Sequence, residues 1–356
     1  MITSNSKNFD LRKKMVDFAK KYGIKPAARQ FQTTPKTVRK WLQRYDTEHN
    51  QGLFDRSRRP HFSPNKTSSE FEKQVLDRRR KTPGFGAKRL IQEFDLPVSH
   101  NVANRIFREH NLLRKRRKKH HKKNDLRHIK AAYQPFTRFQ MDVKHLNDLP
   151  NYFVQMKTLG LPAFQYTIRE VSTGAQFLAY SQELSKTYAT LAVERFLKHL
   201  QRFQIDTNQV VIQTDLGHEF DGNAVHYRPG GFHETIEGER FKAKHRFNPP
   251  ACPNANADVE SVHATIETEF FEAEVFINAK DFWQKIWTYQ FWYNVSRKNS
   301  SRFWKSPLEL LSEKAKQIDP RIFLLPPINL SSLMNNQGGY HVCGVFRKNL
   351  NLFLKI

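Results

Sequence analysis

Cysteine is scarce in this chain of 356 residues: Cys252 and Cys343 are the two present, too few and too far apart for a disulfide framework or a Cys-based zinc site. Long apolar runs are also missing. No stretch approaches the ~18 apolar residues of a membrane span, and Met1 to Asp10 lacks the apolar segment of a signal peptide. The expectation is a cytoplasmic protein with no membrane partner. Acidic residues are few, 34 Asp+Glu against 60 Lys+Arg, which leaves a formal net charge of +26. Apolar residues at 38%, with 29 Phe, are enough for a sizeable core, so intrinsic disorder is excluded. The length calls for more than one domain.

The charge is unevenly spread. Residues 1–130 hold 35 Lys+Arg and 12 Asp+Glu, a net of +23, whereas residues 131–356 hold 25 and 22, a net of +3. A basic front half fits a polyanion bound through its phosphates with release of counterions, and a nearly neutral rear half fits a module with a local chemical task.

The front half reads as two small helical units. In residues 1–50, Met15, Val16 and Ala19 mark one helix, Ala27, Ala28 and Phe31 a second, and Thr34-Pro35 starts a third, because Thr caps free N–H groups and Pro suits the first helical position. Val38, Trp41, Leu42 and Tyr45 recur there at helical spacing as a buried stripe. Lys36, Arg39, Lys40, Gln43 and Arg44 are left outside and, with Thr37, are the candidate major-groove contacts of a helix-turn-helix; a merely solvated basic helix is the competing reading. Residues 51–65, turn-rich and carrying Arg56, Arg58 and Arg59, read as a linker able to lie along a DNA backbone. Residues 66–113 repeat the architecture: Phe71, Val75 and Leu76, then a break at Gly84 and Gly86, then Leu90, Ile91 and Phe94. A third helix capped by Ser99 turns Asn101, Asn104, Arg105 and Arg108 outward, for DNA or for solvent. Residues 114–130 open on a basic run in which Arg114, Lys115, Arg116 and Arg117 are further candidate DNA contacts.

Beyond this the pattern becomes α/β. Residues 138–146, 164–171 and 175–180 alternate like strands, with Ser172-Thr-Gly174 as a tight turn; a helix follows over 188–203, then a short strand over 209–214 that ends on Asp215, then helices over 256–272 and 280–297. That order predicts a layered α/β core over 131–312, with a small β-rich appendage over 313–356.

Three carboxylates stand out. Asp142 interrupts an apolar strand, where an unpaired charge is costly, and pairing to Lys144 would account for it equally well. Asp215 ends a strand, where α/β folds place ligand-handling groups, with Gly217 allowing a sharp turn; capping duty is the alternative. Glu260 lies early in a helix, where the dipole favours any acid. Helical geometry alone does not select it, because Asp258, Glu267 and Glu269 flank the same apolar face. Together such acids form the hard-oxygen donor set of magnesium or manganese, two of which can serve in-line displacement at phosphorus.

Residues 139–144 (Phe139-Gln-Met-Asp142-Val-Lys), 213–220 (Gln213-Thr-Asp215-Leu-Gly-His-Glu-Phe220) and 250–263 (Pro250-Ala-Cys-Pro-Asn-Ala-Asn-Ala-Asp-Val-Glu260-Ser-Val-His263) resemble the three catalytic motifs of insertion-sequence transposases of the retroviral-integrase superfamily. Phe291-Trp-Tyr-Asn294 and Ser306-Pro307 resemble that family's closing helix and the turn after it, and the two helical units resemble its paired helix-turn-helix modules. The resemblance covers nearly the whole chain. It implies a multidomain protein with a ribonuclease-H-like catalytic core, Asp142, Asp215 and Glu260 as catalytic metal ligands, and Mg2+ or Mn2+, two ions per site, as cofactor. The reaction implied is cleavage and strand transfer of double-stranded DNA at an element's terminal repeats and its target. A homo-oligomer on DNA and a prokaryotic, nucleoid-associated setting go with it. A DNA-binding regulator that has lost catalysis is the alternative. Three departures are present: Leu216 stands where the family usually has Asn, 44 residues separate Asp215 from Glu260 against about 35 in the family, and Glu267 replaces a basic residue. The longer gap predicts an inserted loop over 221–238. His145 and His263 are not needed as metal ligands and read as structural or phosphate-contacting.

Overall fold

The computed structural model describes residues 4–56, 66–113, 127–221, 231–249 and 256–334. The chain divides into two compact units, residues 1–66 and 67–356. The predicted contacts Arg58, Arg59, Arg114, Lys115, Arg116 and Arg117 lie outside the described residues, as do residues 335–356 of the predicted appendage.

The first unit is built on α1 (Ser4–Tyr22), α2 (Ile24–Gln30) and α3 (Pro35–Glu48). Thr34 caps α3 as its sequence demands, its hydroxyl accepting the Thr37 N–H, with Pro35 at the first helical position. Met15, Val16 and Ala19 of α1, Ala27 and Ala28 of α2, Val38 and Trp41 of α3, and Leu53 close one small core. Each large apolar side chain buried there contributes roughly 1.5–3 kcal/mol.

The second unit begins with α4 (Ser69–Lys81), α5 (Ala87–Phe94) and α6 (His100–Glu109), packed around Val75, Phe85, Leu90, Ala103, Ile106 and Phe107. Ser68 and Ser99 cap α4 and α6. A short helix α7 (Arg127–Ala132) leads into the sheet.

Among the described residues the sheet has six strands in the order β5-β4-β1-β2-β3-β6. They are β1 (Arg138–His145), β2 (Phe164–Glu170), β3 (Gln176–Ser181), β4 (Val211–Thr214), β5 (Lys244–Phe247) and β6 (Ile328–Asn329). Strands β1, β2 and β3 are antiparallel, β4 runs parallel to β1, and β5 runs parallel to β4. This is the ribonuclease-H-like arrangement. Phe139 and Met141 point to the face covered by α9 (Lys186–Arg202), whose Val193, Phe196, Leu197 and Leu200 fill that core. Residues of the opposite parity, Gln140, Asp142 and Lys144, point to the other face. That face is covered by α8 (Pro150–Leu159), α11 (Ala257–Ile266) and α12 (Ala279–Val295), which share a second core with Leu178 and Tyr180 of β3.

Helix α12 also finishes the sheet. Asn294 accepts the Gln176 N–H and donates to the Gln176 carbonyl, and Gln290 accepts the Leu178 N–H, so the stretch of β3 not paired with β6 has its backbone satisfied by side-chain amides. Helix α13 (Pro307–Lys314) starts in a capping box between Ser306 and Glu309. The described part of the appendage adds β6 to the sheet edge and a last helix, α14 (Leu330–Met334).

The loop expected over 221–238 is corrected in part. Residues 222–230 lie outside the described residues, but residues 232–237 form helix α10 (Phe232–Glu237), whose Phe232 and Ile236 are fully buried in the main core. Two apolar residues four apart suffice to seat one helical turn, a signal easily lost among the flanking Gly and His.

Candidate active site

The site is assembled on the Gln140/Asp142 face of β1. Asp142 is level with Thr167 on β2. On the other side, Gln140 of β1 pairs with Gln213 of β4 in parallel register, and continuing that register by two residues brings Asp142 level with Asp215. Neighbouring strands run ~4.8 Å apart and residues in parallel register share a face, so the two carboxylates project side by side. The Asp142 carboxylate accepts the Val143 N–H, and that of Asp215 accepts the Gly217 N–H, 3.1 Å away.

Glu260 arrives from across the face. The buried Gln140 side chain accepts the N–H groups of Asp258 and Val259, at 3.2 and 3.3 Å, and so pins the first turn of α11 to β1 two residues before Asp142. Those N–H groups have no partner inside the helix, so Gln140 supplies a cap from another element. The alternatives to Glu260 on this helix are occupied. Asp258 lies 2.7 Å from Lys130, Glu267 lies 2.8 Å from Lys144, and Glu269 takes both forks of Arg297 at 2.6 and 2.7 Å. Among the described residues Glu260 has no cation within 4 Å, and the exposed carboxylate acts electrostatically on Asp142. Lys144, the counter-ion considered for Asp142, is thus spent on Glu267.

The consequence appears at Asp142, whose pKa is pushed up to about 7, first by burial and then by the negative charges of Asp215, Glu260 and Glu219, against the opposing Val143 N–H bond. Like charges ~5 Å apart repel by roughly 3 kcal/mol at an effective dielectric near 20, enough to hold one carboxyl protonated. His263 does not relieve this. Its Nδ1 is 3.7 Å from Asp142, but burial, with Lys144 adding to it, lowers the imidazole to about 3, so it stays neutral, and its Nε2 contacts Thr167 Oγ1 at 3.0 Å. His145 is exposed and meets Phe164 edge-on. As they stand, no three His, Cys, Asp or Glu side chains among the described residues are drawn close enough to hold a metal ion. The acids lie around the middle of β1 and the end of β4 without closing on a common point.

Glu219 is the acid that reading by sequence missed. It follows Gly217 by two residues, and Gly217 leaves room for its carboxyl: a Cβ there would come within 2.7 Å of it. The spacing Asp215-Leu-Gly-His-Glu219 held the signal, but a turn acid has no periodicity to mark it.

The candidate DNA contacts divide. On α3, Lys36, Arg39, Lys40 and Gln43 are exposed, whereas Thr37 is half-buried with its hydroxyl on Thr34, and Arg44 is half-buried with its guanidinium 5.1 Å from the Trp41 ring. Arg56 is paired to Glu48. On α6, Asn101 and Arg108 are exposed and Asn104 half-buried, but Arg105 is engaged with Glu72 at 3.1 Å and with the Thr67 hydroxyl.

Residues 11–61 match the helix-turn-helix domain family, and residues 37–107 match the homeodomain-like domain family. The chain therefore carries N-terminal helix-turn-helix domains, the class of fold that docks a helix on duplex DNA, followed by a mixed α/β domain. Both matches fall within the first 107 residues. Among the described residues no helix is long and apolar enough to cross a membrane.

Proposed function

We propose that this chain is a transposase of the DDE type, cutting and joining the DNA ends of a mobile element, with Asp142, Asp215 and Glu260 as its metal-binding carboxylates. The observation that carries the reading is the set of acids, lacking a cationic partner among the described residues, gathered around the middle of β1 and the end of β4, with Asp142 raised to about 7 by burial and by its acidic neighbours. Such a set fits a hard divalent cation: the donors are all oxygens, and their mutual repulsion is the energy a cation would relieve. Asp142, Asp215 and Glu260 would hold magnesium or manganese, which when bound supplies activation of the attacking oxygen and stabilisation of the leaving one.

The chain's own residues do the remainder. Gln140 fixes the start of α11 and hence Glu260 against β1. His263, neutral and buried, fills the space beside Asp142 without neutralising it. The exposed cations of α3 hold DNA through its phosphates and bases. The second reading, a DNA-binding regulator without catalysis, is favoured by the absence of a closed three-acid cluster among the described residues. Thermal melting separates the two. The transposase reading expects millimolar manganese to raise the melting temperature of the wild type and not that of Asp215→Asn, while the regulator reading expects no rise in either.

A further inference from the structure

The second helical unit is fastened to the very helix that carries Glu260. The turn between α4 and α5 meets the single π-turn, Glu267–Phe271, that continues α11 without a break. At Gly84 the contact is so close that a Cβ would lie 2.6 Å from the Thr268 carbonyl oxygen. Phe85 stacks on Trp292 of α12, and the Trp292 Nε1–H donates to Glu93 of α5 at 3.0 Å. Within this seat Arg89 of α5 donates to the Lys298 carbonyl at 2.8 Å and places its Nε 3.6 Å from the Glu269 carboxylate, which is also held by the two forks of Arg297. All three charged side chains are largely buried, with 13, 6 and 9% of Arg89, Glu269 and Arg297 exposed.

Residues 257–271 therefore form one continuous helical rod pinned at both ends: at its start by Gln140 of β1, and nine residues beyond Glu260 by Arg297 and Arg89. Nine residues correspond to ~13 Å of helix, so a small swing at the far pin is carried along the rod to the Glu260 carboxylate. Of the two guanidinium groups on Glu269, Arg297 belongs to the core and Arg89 to the helical unit. Losing Arg89 leaves Glu269 charge-paired with Arg297 while removing the charged contact between the rod and the helical unit, the packing of Gly84 on Thr268 remaining. We propose that Arg89 is a positioning residue for the carboxylate site, coupling the seat of the second helical unit to the placement of Glu260. This rests on the metal-binding reading of Asp142, Asp215 and Glu260 given above.

The test is the manganese concentration that gives half of the maximal thermal stabilisation, measured on the full chain for wild type, Arg89→Met and Arg89→Lys. Arg89→Met is expected to raise that midpoint about tenfold, the usual size of an effect exerted through a neighbour of a metal ligand, and Arg89→Lys to raise it less. Ile106→Val, which weakens the core of the same helical unit and alters no charge and no residue of α11 or α12, should leave the midpoint unchanged, which excludes a general loss of stability. Affinity for a duplex DNA fragment should not change in Arg89→Met. Phe85→Leu, which thins the seat on Trp292 and alters no charge, should shift the midpoint in the same direction and decides the matter if Arg89→Met does not fold. A wild-type response to manganese that neither Arg89→Met nor Phe85→Leu alters would overturn this proposal alone. No response in the wild type would overturn the carboxylate-site reading and this one with it.

Discussion

Replacing Asp142 by Asn should stabilise the metal-free protein at alkaline pH and make no difference at acid pH. The Asp142 carboxyl, 19% exposed, titrates near 7 in the folded chain against an ordinary 3.8. Between those values the native state holds a proton that the unfolded chain has released, so wild-type stability falls as pH rises from about 4 to about 7 and stays low above it. The whole difference is worth roughly 4 kcal/mol at most, because the surroundings of a buried carboxyl reorganise when it ionises. Asn carries no charge at any pH and keeps the shape. In EDTA, Asp142→Asn should therefore melt ~5–10 °C above wild type at pH 8 and within a degree or two of it near pH 4.5. Other groups titrate over the same range, but subtracting one curve from the other removes them. Manganese should narrow that gap at pH 8, since only the wild type gains RT ln(1 + [Mn]/Kd), about 2.7 kcal/mol at a hundredfold excess over Kd, and should close it near a thousandfold excess, about 4.1 kcal/mol. A difference between the two proteins that is the same at pH 4.5 and pH 8, or a mutant less stable at pH 8, would refute the reasoning that burial and neighbouring carboxylates raise Asp142.

Asp215→Asn should lose the manganese-dependent rise in melting temperature while binding duplex DNA as the wild type does, read by calorimetry and by gel shift. Gln140→Ala should cost roughly 1–3 kcal/mol, because two N–H groups at the start of α11 lose their acceptor, and should also weaken the manganese response, as denaturant melts with and without metal will check. Lys40→Ala, altering an exposed cation of α3, should weaken binding to the element's own ends more than to random duplex, with an affinity that falls steeply with salt; Arg44→Ala, whose guanidinium lies over Trp41, should lower melting temperature more than it changes specificity.

Much of this was legible from residue patterns. The alternation through Arg138 to His145 and the apolar stretch ending at Thr214 gave β1 and β4, and with them the levels of Asp142 and Asp215. Thr34-Pro35 and Ser99 declared the starts of α3 and α6 because capping is local chemistry. What escaped was decided by tertiary contacts. Strand β5, Lys244-His-Arg-Phe247, has no apolar alternation and exists because β4 offers it a ladder. Helix α8 runs from Pro150 and ends at Gly160 in the left-handed region, signals that go unused when the segment between two strands is taken for a plain connection. The choice of Glu260 over Asp258, Glu267 and Glu269 could not be made along the helix at all. In the fold Lys130, Lys144 and Arg297, cations that come from other elements, pair with the other three acids and leave Glu260 without a cationic partner among the described residues.

The central claim is that these carboxylates cut DNA, and it is tested most directly by incubating the purified chain with labelled fragments carrying the DNA that flanks its own coding region, in magnesium and in manganese. The account predicts metal-dependent nicks at the element's ends with free 3′-hydroxyl groups, joining of those ends to target DNA, and loss of both in Asp142→Asn, Asp215→Asn and Glu260→Gln although each variant still binds the fragment. Specific binding by the wild type with no cleavage in either metal, or cleavage that survives Asp215→Asn, would contradict it.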